Sequence, residues 1–368
     1  MRLLVLSPSF YLPDQGVRIG GGEISNFLLL EQLAQKRHDV CVVSIHGKSG
    51  KGEMIRGIEL HNIRSRLPVP LVGKTIATAR YAREAEKIAR RFRPDVILGI
   101  TSATATGIAL KKRLKVPFGV LLRAENDLAK SQEDASGAKS LFLKTFMGVS
   151  GDHLLDETDF LIVNSDYMKR VFSEKTGNSE IHVVYPPVDD EQLPFKAFEK
   201  VAQIVSVGTS PRKGFGLIRK LASSLPEIQF HAVGDPAIPQ GSSEQYGNLK
   251  VSGWMGDRSE YLDPADLVLV PSEWNEPFGR IAVEALRYGR CVLVSDRGGL
   301  PEILDHHRDL VVQSNDPVEW VARIGAVNKN PDYFTEISRQ AAAGTSRFLL
   351  KEQVDAMEQI LEHQVSNN

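Results

Sequence analysis

The feature that most constrains this chain is a pattern that occurs twice. Short apolar, β-rich runs alternate with longer stretches of helical spacing, and each half opens with a strand, a glycine-rich loop and a helix. In the first half LLVLS (3–7) leads through Gly20-Gly21-Gly22-Glu23 into a helical stretch over 24–36. VCVVSI (40–45), DVILGI (95–100), FGVLL (118–122), FLIVNS (160–165) and HVVYP (182–186) follow as strands. Within 74–92, Ala77, Tyr81, Ala85, Ile88 and Phe92 recur at helical spacing, with the basic residues mostly off that stripe. The composition loosens from Tyr185-Pro186-Pro187-Val188-Asp189 through Phe198, as an interdomain linker would. Then IVSVG (204–208) enters a second glycine-rich loop, and QFHAVG (229–234), LKVSG (249–253), DLVLVPS (266–272) and CVLVS (291–295) continue the alternation. The last segment, 351–364, is helical and precedes no strand. Such alternation predicts α/β architecture: two Rossmann-like domains, each a parallel sheet with crossover helices, facing across a cleft.

A length of 368 residues, 42% hydrophobic and 25% charged with a formal net charge of -1, fits two soluble domains of ordinary size. No nucleic-acid partner is expected of that balance. The near-neutral total hides an asymmetry, because residues 51–115 carry 15 basic against 5 acidic residues. Such a run is either a solvated face or an electrostatic dock for an anionic partner, a lipid surface or an acidic acceptor. Cys41 and Cys291 each lie inside an apolar strand-like run, which reads as two buried thiols in a reducing compartment. MRLLVLSPSFYLP is apolar for only a few residues before Pro8 and reads as a first strand, not a signal peptide. No window approaches the ~18 uninterrupted apolar residues of a membrane-spanning helix.

Several glycine-bearing loops follow strands and precede helices, the place where open α/β sheets bind ligands. Gly20-Gly21-Gly22-Glu23 either lets backbone N–H groups approach an anion at a helix N-terminus or is simply a tight turn. It is not the G-x-G-x-x-G fingerprint, which disfavours a nicotinamide dehydrogenase. Gly208-Thr209-Ser210-Pro211-Arg212-Lys213-Gly214 repeats the arrangement with two adjacent cations, and an arginine fork beside a lysine point charge suits a diphosphate.

Glu276-Pro277-Phe278-Gly279-Arg280-Ile281-Ala282-Val283-Glu284 follows DLVLVPS. Pro277 suits the start of a helix, which puts Glu276 in the entry loop and Glu284 about two turns on, roughly 12 Å away. One carboxylate can accept from sugar hydroxyls and the other from a ribose diol. The alternative is that Glu276 favours the helix N-terminus and Glu284 is a surface charge. Asp296-Arg297-Gly298-Gly299-Leu300-Pro301-Glu302 is a further glycine loop on the same edge, with Glu302 placed to act on a helix dipole. The histidines form no metal-ligand pattern, and H-E-x-x-H and C-x-x-C are missing, so no metal site is expected. No serine or cysteine sits in a nucleophile elbow.

These motifs, in this order and spacing, resemble the family 4 glycosyltransferases of GT-B fold over nearly the whole length. They are the Gly20-Gly21-Gly22-Glu23 loop, FLIVNSDYMKRVF (160–172), VVYPPVD (183–189), Arg212-Lys213-Gly214, EPFGRIAVEAL (276–286) and GGLPEIL (298–304). The resemblance implies an acceptor-side domain over 1–187, a donor-nucleotide domain over 188–345 and a helix over 346–368 crossing back onto the first. It implies that Lys213, with Arg212, neutralises the leaving diphosphate and that Glu276 binds the transferred sugar. Backbone around Pro277, Phe278, Gly279 and Arg280 meets sugar or phosphate, Glu284 the ribose, and Trp254 the base; Gly208, Thr209 and Gly214 shape the phosphate loop. Gly21, Gly22 and Glu23 line the acceptor side. Two positions depart from the family pattern: Thr209 stands where arginine is usual, in a loop one residue short, and Arg123 stands where many members have histidine. Arg123 either contacts donor or acceptor or pairs with Glu125.

The activity implied is retaining transfer from a nucleoside-diphosphate-sugar donor to a glycan or lipid-linked glycan acceptor in cell-surface glycan assembly, with no metal or cofactor. The protein would be cytoplasmic or peripheral at the inner face of the membrane, with 51–115 as the dock for anionic lipid. The alternatives are a nucleotide-sugar epimerase on the same fold and a catalytically silent sugar-nucleotide-binding subunit.

Overall fold

Alternate residues of the first strand enter opposite cores. β1 (Arg2–Ser9) sends Leu4 and Leu6 into one apolar cluster and Leu3 and Val5 into another, the period of two expected of a strand covered on both faces. The computed structural model describes residues 1–10, 20–46, 51–63, 72–100, 103–125, 154–177, 180–305 and 307–368. It divides into two units, Met1–Pro187 with Leu350–Asn368, and Val188–Leu349.

In the first unit β1 is followed by α1 (Gly21–Gln35), β2 (Asp39–His46), β3 (Lys51–Ile55), β4 (Ile58–Asn62) and α2 (Val72–Phe92). Then come β5 (Val96–Ile100), α3 (Thr104–Leu114), β6 (Phe118–Leu122), β7 (Phe160–Val163), α4 (Asp166–Lys175) and β8 (Ile181–Val183). The sheet order is β3-β4-β2-β1-β5-β6-β7-β8, parallel except where β3 runs against β4. The β3–β4 hairpin falls in the basic stretch and was invisible to an apolar-run reading, because its exposed edge carries Glu53 and Met54 rather than an apolar run. Arg56 and Gly57, both at positive φ (49° and 84°), form its turn. Tyr81, Ala85 and Ala89 of α2 and Ile108 of α3 cover one sheet face. Phe27, Leu30 and Leu33 of α1 cover the other, beside Val354, Met357 and Leu361 of the last helix, Leu350–Ser366. That helix is held to the first unit by Lys36, which pairs with Asp355 and Glu358, and by His38, whose Nε2 lies 2.6 Å from Glu358.

The second unit contains β9 (Gln203–Val207), α5 (Phe215–Ser224), β10 (Gln229–Val233), β11 (Ser243–Tyr246), β12 (Leu249–Ser252), α6 (Ser259–Leu262) and β13 (Leu267–Val270). It continues with α7 (Arg280–Arg287), β14 (Cys291–Ser295), α8 (Leu300–Ile303), β15 (Val311–Val312), α9 (Pro317–Lys329) and α10 (Pro331–Ala343). The sheet order is β11-β12-β10-β9-β13-β14-β15, with only β11 antiparallel. The chain runs outward from β9 through β10 to β12, then returns to the far side of β9 with β13. The loops after β9 and β13 therefore diverge from neighbouring strands, the switch point at which doubly wound sheets bind ligands.

Two expected boundaries move. The second unit runs to Leu349, past 345, because Phe348 packs edge-on against Phe278 with ring centroids 5.1 Å apart and Leu349 bridges to Val188. The helix expected to begin at Pro277 begins at Arg280, because Gly279 at φ 104° interrupts helical geometry. No helix among the described residues is long and apolar enough to cross a membrane.

β10 also carries a buried histidine. The Nε2 of His231 lies 2.7 Å from the Oγ of Ser252, and burial, with Lys250 nearby, lowers its pKa from 6.5 to about 4. Between those values the unfolded chain takes up a proton that the folded chain refuses. The contribution to stability is therefore complete above the unfolded pKa and is lost as the pH falls toward the folded one. His231→Gln removes the titration but keeps a polar partner for Ser252. The urea midpoint of the wild type is expected to fall relative to that of His231→Gln as the pH drops through this window; parallel curves would contradict the assignment.

Candidate active site

Two loops meet at the switch point. After β9, Gly208 (φ 98°) turns the chain out of the sheet, Pro211–Lys213 form a single 3-10 turn, and Gly214 (φ 76°) starts α5. A Cβ on Gly214 would stand 1.9 Å from the carbonyl oxygen of Pro271, so only glycine lets this loop lie against the end of β13. The amide of Glu273 donates to the carbonyl of Arg212 at 2.9 Å and joins the two loops again.

The result is an ion pair. Lys213 Nζ lies 2.9 Å from Oε1 and 2.8 Å from Oε2 of Glu276, whose residue is only 7% exposed. Ser272 Oγ (2.9 Å) and Trp274 Nε1 (3.0 Å) also donate to Oε2. The backbone under Glu276 is held by the next loop: Gly299 N–H donates to its carbonyl at 2.7 Å, and a Cβ on Gly298 would lie 2.2 Å from that oxygen. Ser295 Oγ donates to the carbonyl of Ser272 at 2.8 Å, so the end of β14 braces the same turn. The Arg212 guanidinium stands over the Trp274 ring, 5.4 Å from its centroid. Thr209 contributes a buried hydroxyl with no hydrogen-bond partner among the described residues.

Glu284 lies on α7 and Glu276 in the loop before it. Glu284 accepts from Arg280 Nε at 3.1 Å and Nη2 at 2.8 Å, and its charge helps to raise the pKa of Arg258, which also pairs with Asp189. Val188, Leu193, Arg258, Glu284 and Tyr288 line a small recess. Phe278 is buried in the core, which leaves its backbone as what it can offer a ligand, and Trp254, after β12, is 38% exposed. Sequence reasoning thus named Lys213 and Glu276 separately, and the structure adds that they touch. That reasoning missed Ser272, Trp274 and Arg258, single residues with no spacing pattern to mark them.

In the first unit Glu23 acts on its own helix. Its Oε2 accepts from the Gly20 amide at 3.0 Å and its Oε1 from Ser9 Oγ at 3.1 Å, which supplies the carboxylate half of a capping box at the start of α1, the N-cap glycine having no side chain for the other half. Gly22 sits close to Arg123, and Arg123 donates to Asn26 Oδ1 at 3.0 Å and to the carbonyl of Val184 at 3.2 Å. Glu125 bonds Tyr167 and lies 3.9 Å from Lys175.

Several residues of the basic stretch are paired with acids inside or outside it. Arg56 pairs with Glu31, Lys87 with Glu84, Arg90 and Arg113 with Glu86, Lys111 with Asp159 and Lys112 with Glu157. Cys41, Glu59 and His61 come together with spacing that a metal ion could use. Arg91 reaches two of the three, 2.5 Å from Glu59 and 3.1 Å from His61 Nε2, and burial pushes the Cys41 thiol up to about 12. The group is a charge network against the core.

Comparison with known proteins agrees with this architecture. The model of Glycosyltransferase Family 4 matches residues 19–192 and that of Glycosyl transferases group 1 matches residues 189–344. An uncharacterized 42.6 kDa protein in the cps region of Klebsiella pneumoniae is 24% identical, covering 90% of this chain and 97% of that protein. The D-inositol 3-phosphate glycosyltransferase of Mycobacteroides abscessus is 30% identical over 54% of this chain, and the match spans 51% of that enzyme. Anabaena HepE, solved in complex with UDP-glucose, superimposes with a TM-score of 0.71 at 18% identity, covering 100% of both chains. The chain belongs to the family 4 glycosyltransferases, with the GT-B fold, and is a glycosyltransferase.

Proposed function

We propose that this glycosyltransferase takes its sugar from a nucleoside diphosphate sugar and moves it, with retention at the anomeric carbon, to a hydroxyl of a cell-surface glycan or its lipid-linked precursor. The observation that carries the donor assignment is the Lys213–Glu276 pair at the switch point, with Arg212 beside it. A cation and a carboxylate held together there match the two halves of such a donor, a diphosphate and a hydroxyl-bearing sugar. HepE, whose fold this chain shares, is solved with UDP-glucose. The surface-glycan assignment rests on the family resemblance and on the likeness to the cps-region protein.

The transition state has oxocarbenium character and places negative charge on the departing diphosphate. Lys213 and Arg212 stabilise that charge, Glu276 accepts from the sugar, Glu284 from the ribose, and Trp254 flanks the base. The acceptor oxygen attacks from the face the diphosphate leaves, and the leaving phosphate takes the acceptor proton. This reading routes no step through a metal or cofactor.

Thermal stability in the presence of UDP, GDP, ADP and their sugar conjugates tests the donor, since a ligand that binds only the folded state raises the melting temperature. A rise confined to one nucleotide and its conjugates is expected. No rise with any of them would contradict the reading. Lys213→Ala should then lower turnover of the matching donor about 10²- to 10³-fold, and unchanged turnover would remove Lys213 from the chemistry.

On α2, Arg80, Arg83, Lys87 and Arg90 follow one helix face, and Arg80 and Arg83 are exposed. We infer that this face is the part of 51–115 that docks at the inner membrane face. Binding to vesicles should need anionic lipid, weaken with salt and fall in Arg80→Glu/Arg83→Glu. Binding indifferent to lipid charge would remove the dock and favour the solvated-face reading.

A further inference from the structure

The Lys213–Glu276 pair contains a conflict, on the donor reading just given. Lys213 touches both oxygens of Glu276, and a donor diphosphate competes for the same ammonium. When Lys213 turns to the diphosphate, a carboxylate on a 7% exposed residue loses its countercharge. Losing a charged partner inside a protein is costly unless other donors remain. Two do. Ser272 Oγ and Trp274 Nε1 both bond Oε2, whereas the bond from Lys213 is the one that holds Oε1. Departure of Lys213 therefore leaves Oε2 anchored and opens Oε1 toward the sugar.

The same indole faces the other way as well. Its ring carries the Arg212 guanidinium, 5.4 Å from the centroid, while its N–H holds Glu276 at 3.0 Å. One side chain thus ties the exposed cation of the first loop to the sugar-side carboxylate of the second, by its face and by its edge. Neither a phenyl ring nor an aliphatic chain does both.

We propose that Trp274 is the positioning residue of the donor site, keeping Glu276 oriented for the sugar when Lys213 moves to the diphosphate and keeping Arg212 beside Lys213 as the second phosphate cation. Trp274→Phe retains the face and loses the N–H; Trp274→Leu loses both. The probes are UDP, GDP and ADP for binding, and UDP-glucose, GDP-mannose and ADP-glucose for nucleotide release, after melting curves establish that each variant is folded.

Trp274→Phe is expected to bind the preferred diphosphate within about twofold of the wild type. It should release that diphosphate from the sugar conjugate about 10- to 100-fold more slowly, through kcat. Trp274→Leu should in addition weaken diphosphate binding about fivefold. Turnover of Trp274→Phe within twofold of the wild type, or undiminished diphosphate binding by Trp274→Leu, would overturn the proposal. If the wild type binds none of the three diphosphates, the donor reading fails. The indole then decides separately. The chain has three tryptophans, so the Trp274 indole N–H resonance is assigned by its loss in Trp274→Phe. It should move in Glu276→Gln, and an unmoved resonance would overturn the coupling.

Discussion

The contact between Lys213 and Glu276 is what ties together the two loops at the switch point of the second unit. It exists because two loops that leave adjacent parallel strands are pressed together, and they can be pressed together only where side chains are missing. A Cβ on Gly214 would strike the Pro271 carbonyl, and one on Gly298 would strike that of Glu276. The strand order supplies the direction, since β9 and β13 are neighbours whose following helices depart separately. Glycines supply the approach, and the ion pair with its two added donors to Oε2 supplies the final orientation.

Much of this was legible in the sequence. Strand runs such as FGVLL and CVLVS needed no context, because a parallel strand covered on both faces is apolar at every position, and the structure places β6 and β14 on those residues. The charged hairpin of β3 and β4 was not legible, since an edge pair needs no apolar run. Lys213 and Glu276 lie 63 residues apart, and it was the repeated strand–loop–helix pattern, with the family resemblance, that set them at one sheet edge. Trp274 went unread because an isolated aromatic residue in a loop carries no spacing signal; only the fold shows that its edge and face meet different partners. The helix start at Pro277 was misplaced because local propensity favours proline at a first turn, while the backbone at Gly279 takes a conformation that no propensity scale reports.

The first unit is more self-contained. Gly22 and Arg123 come together with Asn26, and Glu23 is committed to capping α1. In the basic stretch, Arg56, Lys111 and Lys112 meet acids that the sequence places outside it, Glu31, Asp159 and Glu157, while Lys87, Arg90, Arg91 and Arg113 meet acids within it. On α2, Arg80 and Arg83 remain exposed.

On the donor reading proposed above, Glu276 and a donor diphosphate compete for Lys213. Calorimetric affinity for the diphosphate that best stabilises the wild type, compared with that of Glu276→Gln, tests it directly, because a nucleotide without its sugar makes no demand on Glu276. Releasing Lys213 from the carboxylate should tighten diphosphate binding by about three- to tenfold, or roughly 1 kcal/mol. Weaker binding by Glu276→Gln would contradict the competition and return the pair to a purely structural role.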